Sequence, residues 1–174
     1  GYTPFLRGAS AYFTNLNRNK RSIVLNVKRE EAKEILLNLL KKSDVLLENF
    51  KPGTMDKLGF SYDRVRDVNP GIIYASISGF GQYGPYKDRP GYDIIGQAMG
   101  GLMSVSGWPD SPPTRTGTAM ADIVAGLNAC IGILASLRGK ERTGLGERID
   151  VSLVDSMVSA METVIQIYLV EGRI

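Results

Sequence analysis

The apolar positions of the chain alternate between short β-like runs and stretches with helical period. Residues 21–26 (RSIVLN) are short, β-branched and bounded by basic residues, which predicts a strand. Over residues 29–42, Ala32, Ile35, Leu36, Leu39 and Leu40 recur at i, i+3, i+4, i+7 and i+8, which predicts a helix with one apolar face. Glu30 and Glu31 open it and Lys41 and Lys42 close it, matched to the helix dipole. Residues 44–50 (DVLLENF) predict a second strand, so the three elements form a β-α-β unit with parallel strands. Pro52-Gly53 breaks the chain before a short helix at 54–58. Ser61 caps a helix over 62–68, which Asn69-Pro70-Gly71 stops. A third strand is predicted at 72–77.

Residues 79–91 hold too much Gly and Pro for regular structure, and a helix is predicted over 93–99. A loop or short strand and a Pro-rich turn fill 101–113. The long helix predicted at 119–137 carries Ile123, Leu127, Ile131 and Leu134 on one face. A second face of small residues (Ala125, Ala129, Gly132, Ser136) would let another helix pack closely. A turn at 143–146, a strand at 147–153 and a helix over 155–170 complete the pattern. That last helix is apolar on most sides, as in a helix buried in a larger body or an interface. There are no repeats. The alternation predicts an α/β fold with an open, mostly parallel sheet and flanking helices.

The 174 residues suffice for one core, and 43% hydrophobic with 22% charged residues is a globular composition. The chain starts without Met in a loop-like run and stops after an apolar helix, so it is expected to be part of a longer protein. A net charge of +3, dispersed along the chain, does not suggest a nucleic-acid binder. No apolar run is expected to reach transmembrane length. The single cysteine, Cys130, lies in an apolar helical pattern that places it in the interior; it allows no internal disulfide and favours a reducing compartment. The absence of histidine removes the parts for a Ser-His or Cys-His nucleophile and for a His-based metal site within this chain. Chemistry here must rest on carboxylates, hydroxyls, Lys, Arg and backbone groups.

Three stretches could carry such chemistry. Gly79, Gly81 and Gly84 spell G-x-G-x-x-G after a strand. A dinucleotide fingerprint also requires a helix starting within the glycines and an acid about twenty residues on. Pro85 follows Gly84 and no such acid is present, so a loop is the better reading. Asn49-Phe50-Lys51-Pro52-Gly53 follows a strand end, where ligands of open α/β sheets gather. It offers an amide, a stacking face and, with Lys57 and Lys28, cations for phosphate, although an ordinary strand-to-helix turn with solvated lysines fits it too. Asp122 opens the long helix, whose free N–H groups and dipole would keep it ionised and oriented, as a carboxylate nucleophile requires. A plain first-turn acid fits the same position, and Asp150 and Asp155 share that ambiguity.

Six stretches in order, NRNKRSIVLNVK (17–28), SDVLLENFKPGTMDKLGF (43–60), NPGIIYASISGFGQYGPY (69–86), RPGYDIIGQAMGGLM (89–103), GTAMADIVAGL (117–127) and RTGLGERIDVSL (142–153), resemble the class III CoA-transferases, the formyl-CoA transferase and carnitine CoA-transferase type. The resemblance covers nearly the whole chain and the middle of the family's longer one. It implies a Rossmann-like large domain over residues 1–140, lacking the family's opening strand. Residues 141–174 would lead toward a linker and second domain. Subunits of the family form interlocked homodimers. The resemblance implies that Asp122 is the nucleophile, which would form an aspartyl-acyl anhydride and then an aspartyl-CoA thioester before an acceptor carboxylate takes over the CoA. Tyr92 and Asp93 would support it. Leu25, Lys28, Asn49, Phe50 and Lys57 would hold the adenine, ribose or phosphates of CoA. Lys57 stands where the formyl-CoA enzyme has arginine, which keeps the charge and loses bidentate phosphate contact. Acyl-CoA and carboxylates would be the substrates, with no permanently bound cofactor, no metal, no nucleic acid and no membrane. A cytoplasmic location is expected, or a mitochondrial or peroxisomal one in a eukaryote. The related α-methylacyl-CoA racemases have a histidine where this chain has Tyr92, so racemisation is the lesser alternative, beside a CoA-binding fragment without turnover. The acyl pocket depends on loops beyond the chain; Trp108 is the one candidate lining residue within it.

Overall fold

The computed structural model describes residues 2–173. A two-stranded antiparallel ribbon, β1 (Phe5–Leu6) and β2 (Ala9–Ser10), leads into α1 (Ala11–Leu16). Then follow α2 (Glu30–Leu40), β3 (Val45–Glu48), α3 (Thr54–Leu58), α4 (Tyr62–Val68) and β4 (Ile73–Ser78). The second half runs α5 (Asp93–Met99), a 3-10 turn (Leu102–Ser104), α6 (Met120–Thr143), β5 (Arg148–Ser152), α7 (Leu153–Ala160) and α8 (Glu162–Glu171).

The three longer strands form one parallel sheet in the order β3-β4-β5, with Leu46 opposite Tyr74 and Ser76 opposite Asp150. The central β4 is buried on both faces, and its sequence, IYASIS, holds only apolar residues and small serines. Tyr74, with Ile72 just before the strand, packs in one core with Leu40, Phe60 and Val65 of the α2–α4 side. Ile77 joins the opposite core of Ala121, Ala125, Leu153 and Met157 beneath α6 and α7. Helices therefore cover both faces, and the open α/β architecture stands as expected.

Local signals hold where the chain needs no distant partner. The Ser61 side chain accepts from the Arg64 N–H and caps α4, and Gly59, in the left-handed region, ends α3.

Four expectations change. Residues 21–26 form no strand: none of the described strands pairs with them, and Ile23 and Val24 lie exposed. β-branched side chains favour a sheet only when a neighbouring strand supplies hydrogen bonds and packing. The β-α-β unit is instead β3 and β4, joined through α3 and α4. The terminal helix divides at Met161 into α7 and α8, bent by 77°, and Met161 is buried at the corner. The long helix packs through its small-residue face, as expected, but Cys130 does not lie in the interior. Ala121, Ala125, Ala129 and Ser136 are buried, whereas Ile123, Leu127, Ile131 and Leu134 are exposed, as is Cys130. That helix also overturns the expectation about apolar length, since it is long and apolar enough to cross a membrane, with mean hydropathy 1.8 over 18 residues. Its small-residue face nonetheless lies against β4, β5 and α7, as in a helix layered on a sheet.

Candidate active site

A cavity of about 780 Å³ lies beyond the carboxyl ends of β3 and β4, with Leu153, just past β5, on its wall. This is where an open parallel sheet leaves a crevice between the loops that depart from its strands. Asn49 and Phe50 come from the β3 loop, Arg89 and Tyr92 from the approach to α5, and Asp122 from the first turn of α6. Buried Glu48 accepts the Phe50 N–H at 2.8 Å and Asn49 donates to the Ile77 carbonyl at 2.7 Å, which fastens the loop to β4. One Asn49 donor is therefore committed to the fold, while Phe50 stays 52% exposed.

Glycines bring α5 to this crevice. A Cβ on Gly79 would lie 2.4 Å from the Gly91 Cα, so the end of β4 and the approach to α5 cross backbone against backbone. The Gly79 carbonyl accepts from Val154 N–H at 3.2 Å, and Asp150 accepts the Gln82 N–H at 2.8 Å, tying the loop to β5 and α7. No helix begins among the glycines, in agreement with the loop reading.

The α6 N-terminus is held from below. Asp93, buried at the start of α5, accepts the Ala121 N–H at 2.9 Å through Oδ1. Its Oδ2 accepts from Gln97 Nε2 at 2.8 Å and lies 3.7 Å from Arg115 Nε. The cap that sequence position would give to Asp122 thus belongs to Asp93. No hydrogen bond joins the Asp122 carboxylate to another described residue, and it is exposed on the cavity wall.

Loss of solvent and then the nearby Asp93 charge raise the Asp122 carboxyl above its ordinary 3.8. The shift runs against the expected stabilisation of the anion, because removal from water and a like charge both favour the neutral acid. The folded protein then binds this proton more tightly than the unfolded chain, so stability falls as pH rises from 3.8 through the raised value. Exposure keeps the effect small. Asp122→Asn is expected to unfold at a higher temperature than the parent at neutral pH, the gap closing below pH 3.8. Thermal scans across pH check this, and a gap that persists in acid would contradict it.

Of the eight residues expected at the site, the structure brings Asn49, Phe50, Tyr92 and Asp122 onto one cavity, with Asp93 directly behind. Leu25, Lys28 and Lys57 are not on its wall; Leu25 is half-buried and the two lysines are exposed. Trp108 is 85% exposed and also away from it. Asp155 is exposed, and Asp150 serves the loop. Sequence reasoning missed Arg89, whose guanidinium lies 4.2 Å from the Tyr86 ring centroid, and Gln97. Arg89 sits in a Gly- and Pro-rich stretch next to Tyr92, which was its only signal. Among the described residues no group of three or more acidic or sulfur ligands could hold a metal.

A family model described as CoA-transferase family III matches residues 1–174. Formyl-CoA:oxalate CoA-transferase of Streptomyces avermitilis is 51% identical over 150 residues, covering 86% of this chain and 36% of that protein. Acetyl-CoA:oxalate CoA-transferase of Acetobacter aceti is 46% identical over 173 residues, covering 99% and 44%. A CAIB/BAIF family protein from Brucella suis superposes with a TM-score of 0.91 at 42% identity, covering 97% of this chain and 45% of that structure. The chain thus spans less than half the length of each.

Proposed function

The chain belongs to CoA-transferase family III, and from that premise we propose that the protein it forms part of moves CoA from an acyl-CoA thioester to an acceptor carboxylate, with Asp122 as nucleophile. The observation that carries this is the Asp122 carboxylate, free of hydrogen bonds to other described residues, on the wall of a cavity large enough for part of a CoA thioester.

In the first step the carboxylate attacks the thioester carbonyl, the C–S bond breaks, and an aspartyl-acyl anhydride and CoA thiolate result. The thiolate then attacks the aspartyl carbonyl and expels the donor acid, leaving an aspartyl-CoA thioester. The acceptor carboxylate displaces the thiolate to give a second anhydride. Thiolate attack on the acceptor's acyl carbon releases the new CoA ester and restores Asp122. Each step exchanges carboxylate and thiolate at a carbonyl without proton transfer, so a chain without histidine suffices. Asn49 and Phe50 would meet the CoA moiety in the cavity. Leu25, Lys28 and Lys57, off the cavity wall, would meet the parts of CoA that extend beyond it, and Tyr92 and Asp93 would support the reacting centre. Oxalate, which the two relatives' names share, is the acceptor to try first.

The exposed Ile123, Leu127, Ile131 and Leu134 stripe supports an interlocked homodimer that would cover it. We assign residues 1–140 to the CoA-binding domain and 141–174 to the passage toward a second domain, in a cytoplasmic enzyme.

The test is to incubate the full-length protein with acyl-CoA, quench with hydroxylamine or borohydride, and map the modification by mass spectrometry. Modification at Asp122 is expected. Continuing transfer with Asp122 never modified would refute the assignment.

A further inference from the structure

Gln97 is wholly buried in α5, a position that a hydrocarbon side chain would fill without the cost of desolvating an amide. Its hydrogen bonds account for that cost. Nε2 donates to Asp93 Oδ2 at 2.8 Å and to the Thr118 carbonyl at 3.2 Å. Oε1 accepts the Thr116 N–H at 3.0 Å and lies 3.0 Å from Thr116 Oγ1, whose single proton it shares with the Thr118 carbonyl. Both sides of the amide are therefore engaged, one with the acid that caps α6 and the other with the irregular segment that enters α6. Asp93 passes the constraint on through the Ala121 N–H, one residue before Asp122. Two hydrogen bonds in series thus connect a residue inside the fold to the backbone one residue before the proposed nucleophile.

We propose that Gln97 is a positioning residue for Asp122: its amide locks the Asp93 cap and residues 116–118 together, which fixes the first turn of α6 against the cavity. The proposal rests on the reading of Asp122 as nucleophile. Gln97 is not on the cavity wall, so its effect falls on the orientation of the attacking carboxylate and not on CoA binding.

The surrounding groups define what a charged replacement would do. Asp93 faces Arg115 at 3.7 Å, and its charge acts on Asp122. Against α5, α7 presents Leu153 and Met157; its one acid, Asp155, is exposed, and the 3-10 turn Leu102–Ser104 carries no charge. A glutamate at position 97 would therefore set a carboxyl directly against Asp93. The pair would keep the geometry while one proton bridged them and repel once it left.

The test compares Gln97→Met, Gln97→Glu and Asp122→Asn in the full-length protein, each confirmed folded by its thermal midpoint. Gln97→Met is expected to lose about 10²-fold in kcat through misplacement of the nucleophile, with KM for acyl-CoA within about twofold. Gln97→Glu should approach the parent rate at acidic pH and fall away as pH rises, a profile that neither the parent nor Gln97→Met shows. A folded Gln97→Met with kcat within about threefold of the parent, or a Gln97→Glu profile parallel to the parent's, overturns the proposal. If Gln97→Met does not fold, the Gln97→Glu profile decides alone. Loss of transfer in Asp122→Asn with retention in both Gln97 variants refutes only the positioning role. Retained transfer in Asp122→Asn refutes the nucleophile and the proposal together.

Discussion

Asp122→Asn is expected to lower CoA transfer by on the order of 10⁴-fold or more, the scale set by losing a nucleophile, while the protein stays folded and still binds CoA. That factor corresponds to about 5.4 kcal/mol of transition-state stabilisation. A helix-capping acid in the same position would behave differently: its loss would cost about 1 kcal/mol of stability and little else. The two roles are separated here because Asp93, not Asp122, accepts the Ala121 N–H at the start of α6. The Asp122 carboxyl is raised by loss of solvent and the neighbouring acid, so the folded state holds its anion at a small cost. Removing that charge should leave stability equal or slightly higher while transfer collapses, a trade typical of sites kept for chemistry. Steady-state transfer between acyl-CoA and a carboxylate, with calorimetric CoA binding in parallel, is the measurement. Residual transfer above about 1% of the parent, or a fall in stability without loss of transfer, would return Asp122 to the ranks of first-turn acids.

The features legible in the sequence were those whose cause lies within a few residues. α3 and α4 are marked by Gly53, Gly59 and Ser61, each at a terminus where a left-handed residue or a hydroxyl acceptor is needed. The central strand announced itself by a short β-branched, mainly apolar run after the Asn69-Pro70-Gly71 stop. Features that depend on a distant partner were misjudged. Residues 21–26 have strand composition but no neighbour to pair with among the described residues. Met161 looks like any other apolar residue in a helical pattern, yet the chain bends there. On α6, the apolar pattern suggested an interior Cys130, whereas close approach to the sheet selects alanine and serine and leaves Cys130 outside with the larger side chains. The site divides along the same line. Tyr92 came from the family resemblance alone, whereas Asp122 opens a helix and Asn49 and Phe50 follow a strand end, so these three could be picked out by position. Gln97 could not, because a glutamine in a helix normally faces water, and only the packing of α5 on α6 shows that this one does not.

Gly79→Ala is expected to damage both stability and the site, and a second glycine in the same loop provides the contrast. At position 79 the new methyl would lie 2.4 Å from the Gly91 Cα and 2.9 Å from its nitrogen, atoms of a backbone that cannot rotate away. Overpacking of this kind costs about 1–3 kcal/mol, and the strain cannot stay local. Residues 91–93 lead directly to Tyr92 on the cavity wall and to Asp93 at the α6 cap. A shift of even about 1 Å there would move the reacting geometry enough to cost about 10²-fold in kcat. Gly84 has φ +89° and nothing within 4 Å of its would-be Cβ, so Gly84→Ala meets conformational strain alone, about 1 kcal/mol, with the crossing undisturbed. The expected result is a lower thermal midpoint in both variants and a loss of transfer confined to Gly79→Ala. If Gly84→Ala proves the more harmful to transfer, the loop acts on the ligand itself. If Gly79→Ala turns over like the parent, the backbone crossing is not what holds Tyr92 and Asp93 in place. The G-x-G-x-x-G spacing would then need an explanation other than the one this geometry supplies, in which its first glycine serves the close approach of two chain segments and not a phosphate.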